Sequence, residues 1–249
     1  MRTSAVLRVC ACVLGLIATP AAARNIDTFT VGPIGLSVAP NQFPPPNVQT
    51  GLDAAQVFGG SRWIGINGIQ GTGKTGNVLA TADAATSALQ YDARNASPGL
   101  IESFRLGTGD ADWFNGPGAF SANLLGDGGD AFVIPFESAH FVNSQGTTVA
   151  AKSFSLLVAS GIPGSRTGRA AVFDVAASET PQTIVLPFSA FPAGTDFTKV
   201  AAVELLTVNL GGGTHFRIDS ITTTPEPAAL GLLALVPMPL QRRPRERQA

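Results

Sequence analysis

The chain has 249 residues, 16 basic against 17 acidic side chains, and a charged fraction of 13%, about half the usual quarter. So sparse and slightly acidic a set of charges excludes the basic surface that a nucleic-acid ligand needs. With 28 glycines and only 2 cysteines, the composition suits strands and turns, not helices with a charged face or a disulfide scaffold.

In chain order, the first segment, "MRTSAVLRVCACVLGLIATPAAARN", sets Arg2 and Arg8 before an apolar run over 9–18, followed by Pro20 and three alanines. A basic start, a short apolar core and an A-x-A site formed by Ala21 and Ala23 describe a signal peptide helix over 1–23, cleaved after Ala23. The run is shorter than the roughly 20 residues that a membrane span needs. Cys10 and Cys12 both fall in this leader, so the exported chain is expected to hold no disulfide, thiolate nucleophile or cysteine–metal site. Setting aside Arg2, Arg8, the four tail arginines and Glu246 leaves 10 basic and 16 acidic residues, a body near −6.

The body then reads as short β-rich runs at 26–31, 61–66, 99–106, 119–125, 130–136, 147–160, 169–176, 182–188, 200–208 and 214–223. Turn material such as "TGDAD", "NGPG", "GDGGD", "NSQG" and "LGGG" separates them, and the proline-rich stretch 39–47 reads as a rigid connector. Many short strands at regular spacing predict an all-β domain, a β-sandwich or jelly roll, over 24–222. In 214–223, His215, Arg217 and Asp219 alternate only approximately with Phe216, Ile218 and Ile221, which leaves their facing open.

Early in the body "GIQGTGKT", Gly68 to Thr75, fits G-x-x-x-x-G-K-[ST]. A working phosphate loop needs a buried parallel strand before it and a helix after it, whose amides hold the phosphates. The strand before it is diluted by Ser61, Arg62, Gly65 and Asn67, and the residues after Thr75 fit a helix and a strand equally well. The stretch is read as a chance match, a tight glycine-rich hairpin turn with Lys74 at its tip, and no enzyme activity is expected.

Farther along, "GTGDADWFNGPG" and "GDGGDAF" hold Asp110, Asp112, Asp127 and Asp130 in glycine-rich loops, which offer the oxygen ligands that Ca²⁺ takes or serve as solvated turn residues. Phe114 stands where a calcium-hand loop would place a ligand. Trp113 and Phe114 could stack on a sugar ring or plug the end of the sandwich. The two histidines, His140 and His215, read as ordinary strand or surface residues, since no G-x-S-x-G elbow accompanies them. A paired-carboxylate glycosidase would draw on Glu102, Glu137, Glu179 and Glu204, whose separations spacing does not set.

The chain closes on "TTTPEPAALGLLALVPMPLQRRPRERQA": Pro225, Glu226 and Pro227, an apolar segment over 228–240, then Arg242, Arg243, Arg245 and Arg247. This order is similar to the PEP-CTERM sorting signal of bacterial envelope proteins. The resemblance implies an exosortase-type processing protease and the export machinery as partners, transient membrane contact through a sorting tail over 223–249, and delivery to the cell envelope, outer surface or extracellular matrix. Here the apolar segment is 13 residues long and contains Pro237 and Pro239. The runs "IDTFTVG", "VFGGSRWIGI", "VLPFSAFPAGTDFTKVAAVEL" and "FRIDSITTTPEP" also resemble the galactose-binding-like jelly roll. These features fit three kinds of protein: an exported, non-catalytic envelope or matrix protein, a carbohydrate-binding module that uses Trp113 and Phe114 with or without Ca²⁺, and an extracellular glycan hydrolase.

Overall fold

Apolar alternation in the body builds fifteen strands and no α-helix among the residues that the computed structural model describes, 23–70, 75–97, 101–110, 120–126 and 128–225, with the side chains of 67–70, 101, 102 and 225 not described. The strands are β1 (Asn25–Asp27), β2 (Ile34–Val38), β3 (Asn47–Thr50), β4 (Ser61–Gln70), β5 (Val78–Asp83), β6 (Ala88–Asp92), β7 (Ile101–Gly109) and β8 (Gly129–Val142). After them come β9 (Thr148–Val149), β10 (Ala151–Ser160), β11 (Thr167–Ala176), β12 (Gln182–Pro187), β13 (Val200–Leu210), β14 (His215–Ile218) and β15 (Ile221–Pro225).

These strands form two antiparallel sheets. A nine-stranded sheet runs β1-β15-β8-β14-β6-β5-β2, with β12 and β9 also paired to the long β8, and a six-stranded sheet runs β11-β10-β13-β7-β4-β3. The inner faces meet through aromatic rings. Phe154 of β10 lies 5.5 Å from Phe136 and 5.4 Å from Phe216, and Phe104 of β7 lies 5.4 Å from Tyr91. A second aromatic group, Phe132, Phe188, Phe191 and Phe197, closes one region of the core, with Phe188 stacked on Phe197 at 4.1 Å. The expected β-sandwich is the observed architecture, its core filled by one contiguous apolar cluster drawn from both sheets.

Several local expectations change. Of the predicted run 119–125, the described residues 120–125 form no strand, only a bridge between Ala122 and Val200, because the Asn123 side chain accepts the Gly126 N–H at 2.7 Å and turns the backbone there. The stretch after Thr75 is two strands, β5 and β6, joined by a turn, so a strand stands where a phosphate loop would need a helix. The expected turn with Lys74 at its tip falls on 71–74, outside the described residues, and the strands on either side do not pair, since both edges of β4 are taken by β3 and β7 while β5 lies in the other sheet. Strands β2, β3, β5 and β6 fall outside the predicted runs, and β15 extends past 222 to Pro225, which pairs with Gly129.

Candidate functional site

Period-two alternation decides which side chains leave the core of the nine-stranded sheet. In β14, Phe216 and Ile218 are buried, which turns His215 and Arg217 outward. In β6, Leu89 and Tyr91 are buried, which turns Gln90 and Asp92 outward. On β8, Ile134 and Phe136 point inward, and a register shift opposite Arg217 and Ile218 lets Ala139 and Phe141 point inward as well. This β-bulge sets Ser138 and His140 on the outer face beside β14.

The pairing then arranges the outward residues in two rows across five strands. One row is His140–His215–Asp92–Leu79–Ser37 and the next is Ser138–Arg217–Gln90–Thr81–Gly35. Two open depressions lie on this face. One, of about 150 Å³, is lined by Gln90, Asp92, Arg94, Ser138, His215 and Arg217, and the other, of about 270 Å³, by Pro33, Gly35, Thr81 and Asp83.

Local contacts fix these groups. The buried Thr214 hydroxyl bonds both the N–H and the carbonyl of Val142, which pins the start of β14 to β8 just before His215. His140 and His215 stack with centroids 5.1 Å apart and planes 17° apart. Asp92 accepts the Arg94 backbone N–H at 2.9 Å and the guanidinium Nη2 at 2.5 Å. The Arg94 side chain holds the Asp92 carboxyl below its ordinary range, helped by the Arg94 N–H and the nearby His215, while partial burial opposes the shift. Arg217 pairs with Glu137 at 2.6 Å, and its Nη2 reaches across β6 to donate to the Thr86 carbonyl at 2.9 Å.

The anticipated site residues are described only in part. Trp113, Phe114, Asp112 and Asp127 lie outside the described residues. Asp110 is paired with Arg166 at 2.5 Å, whose other arm donates to the Phe120 carbonyl at 2.8 Å, so one buried guanidinium joins the two ends of segment 110–120. Asp130 accepts the Thr224 hydroxyl. Among the described residues no set of three or more His, Cys, Asp or Glu side chains could cage a metal ion, and Asp110 and Asp130 are engaged with other partners. Glu204 pairs with Arg105 at 2.7 Å on the six-stranded sheet, away from Glu137, while Glu179 is exposed between β11 and β12, and the Glu102 side chain is not described.

At the processing signals, Ala23 is exposed, and Ala21, Glu226, Pro227, Arg242 and Arg243 lie outside the described residues. Arg24 donates its N–H to the Thr223 hydroxyl at 3.1 Å and accepts the Thr223 N–H at 2.9 Å, so the residue after the expected leader cut sits beside the strand that ends at Pro225. The row of outward residues is the feature that sequence reasoning misses. The available signal is the alternation in "ALQYD" and "HFRI", but the β8 bulge that aligns His140 with them leaves no local mark.

No family model matches the chain, and no curated protein matches it. Among solved structures, it is similar to a family 11 carbohydrate-binding module from Clostridium thermocellum, solved in complex with a β-1,3-1,4-mixed-linked tetrasaccharide. The identity is 15%, with 84% of this chain and 98% of that one covered and a TM-score of 0.39. A family 30 carbohydrate-binding module of a cellulosomal cellulase from the same organism is 10% identical, over 81% of this chain and 98% of that one, with a TM-score of 0.41. The geometry of the outer face, not these likenesses, bears on function.

Proposed function

We propose that this chain is an exported, non-catalytic module that holds extracellular polysaccharide on the outer face of its nine-stranded sheet, delivered by its leader and its PEP-type tail. The observation that carries the reading is the row Ser138–Arg217–Gln90–Thr81–Gly35, with an open depression at either end. Four inter-strand spacings of about 4.8 Å make the row roughly 19 Å long, a track for several sugar units. A polymer needs an open path, not an enclosed pocket, and planar amide, guanidinium and carboxylate groups pair with hydroxyls in defined directions. Gln90, Asp92, Arg94 and Arg217 supply such groups. Gly35, with no side chain, keeps the far end low, since a Cβ there would come within 3.2 Å of Thr81.

Two carboxylates of this face are held in ion pairs, Asp92 with Arg94 and Glu137 with Arg217, and Asp83 accepts the Ala85 N–H at 2.9 Å, an arrangement suited to fixed recognition more than to proton transfer. The test is retardation of the purified chain in gels that carry soluble polysaccharides, chosen after a glycan array and run with and without Ca²⁺. Gln90→Ala and Thr81→Ala are expected to abolish most retardation, and Val172→Asp, on the other sheet, to leave it intact. Retardation indifferent to the first two, or lost in the third, contradicts the reading.

A further inference from the structure

The chain has only 2 histidines, 75 positions apart, and the fold makes His140 and His215 direct cross-strand partners with rings stacked 5.1 Å apart. His215 Nδ1 lies 3.3 Å from the Gly213 carbonyl, which can only accept, so this contact places the proton on Nδ1 and leaves the Nε2 lone pair free. A ring N–H donated to a backbone carbonyl is the usual support of a metal-ligating imidazole. His140 makes no hydrogen bond among the described residues and keeps its ring free to tilt. Two metal–nitrogen bonds of about 2.0–2.1 Å bring nitrogens to within about 4 Å of each other. With the planes 17° apart the two lone pairs run in nearly parallel planes, so both rings bind one ion only when the His140 ring turns out of the stack toward the His215 Nε2. On the other side of His215, Asp92 adds a nearby negative charge in the same row, partly offset by Arg94.

We infer that His140 and His215 form a two-histidine binding site for a divalent transition-metal ion on the outer face of the nine-stranded sheet. The protein supplies two imidazole ligands, and the remaining positions stay open to water or to hydroxyl groups of a bound molecule. Imidazole suits Zn²⁺, Ni²⁺ and Cu²⁺, and at a site of this kind Cu²⁺ binds most tightly. The site does not depend on polysaccharide recognition, and its readout needs no sugar.

The test is titration of the untagged full chain with Cu²⁺ at pH 7, followed by electron paramagnetic resonance, with Cys10→Ser and Cys12→Ser so that leader thiolates do not compete. The first equivalent is expected to show splitting from two nitrogens, and this species to be lost in His140→Ala and in His215→Ala. Independently of any variant, substoichiometric Cu²⁺ should broaden the ring proton signals of both histidines first. An oxygen-only spectrum in the parent, a two-nitrogen spectrum that persists in either variant, or broadening that spares either ring overturns the inference.

Discussion

Arg62 is buried to 0% exposure, and its guanidinium meets an equally buried Asp27 through Nε at 2.6 Å and Nη2 at 2.5 Å. Its remaining arm donates to the Val31 and Gly32 carbonyls at 3.0 and 2.9 Å, and Asp27 also accepts the Phe29 N–H at 2.9 Å. That last bond holds Phe29 at a φ of 56°, a region that bulky residues rarely adopt. The pair thus ties the N-terminal strand of one sheet to β4 of the other. Removing one partner strands a buried charge, so Arg62→Ala should cost about 3–5 kcal/mol, a large part of a typical domain's stability. Urea unfolding measures this, and a loss below about 1 kcal/mol would deny the pair its anchoring role. Neither residue announces the other in the sequence, since they stand 35 positions apart and a lone arginine in a strand reads as a solvated one. Asp92 acts in the opposite regime, half-open to solvent. Its folded pKa lies below the ordinary value, so its contribution is present above that value and is lost as pH falls through the folded pKa. Against the wild type, Arg94→Ala should therefore be slightly less stable at pH 6, by less than about 1 kcal/mol, and the gap should close toward pH 3. Melting temperatures across that pH series measure it, and a gap that widens on acidification would contradict the assignment.

At the scale of the element, the strands legible in the sequence are those whose apolar positions alternate over long runs, as in 130–136, 169–176 and 200–208. Those missed are short or diluted: "NVQT" has one apolar residue, and "ALQYD" carries its polar positions to the surface that becomes the candidate site. The approximate alternation of 214–223 has a plain cause, because the segment is two strands, β14 ending at Ile218 and β15 starting at Ile221. Strand β7 shows how a glycine can be required by a neighbour. A Cβ on Gly107 would lie 1.9 Å from the indole of Trp63, which is only 3% exposed and packs with Ala159 and Ala202 in a small cluster of its own. Gly107→Ala must therefore displace Trp63, at a cost of about 1–3 kcal/mol typical of overpacking. The variant should show lowered thermal stability and red-shifted tryptophan emission as the indole meets water, and an unchanged spectrum and melting temperature would contradict the packing.

At the scale of the molecule, the acidic balance and the all-β class are legible because they are sums over the chain, whereas the binding face is not, because it is a product of register. Its two rows draw on β2, β5, β6, β14 and β8, which lie side by side only after pairings as distant as His140 with His215, and only with the bulge in β8. The loop reading that favours Trp113 and Phe114 rests on local chemistry, and a face assembled from five strands has none. The same topology sets β1 beside β15, so the expected leader cut and the start of the PEP-type tail share one edge of the sandwich. The central claim, that this outer face holds polysaccharide, is tested most directly by following the backbone amide signals of the isotope-labelled chain by NMR as a binding polysaccharide is titrated in. Shifts are expected to concentrate at Gly35, Thr81, Gln90, Asp92, Ser138, His215 and Arg217, with the six-stranded sheet unmoved. Shifts centred instead on the six-stranded sheet, or on the loops that flank segment 111–119, would contradict it.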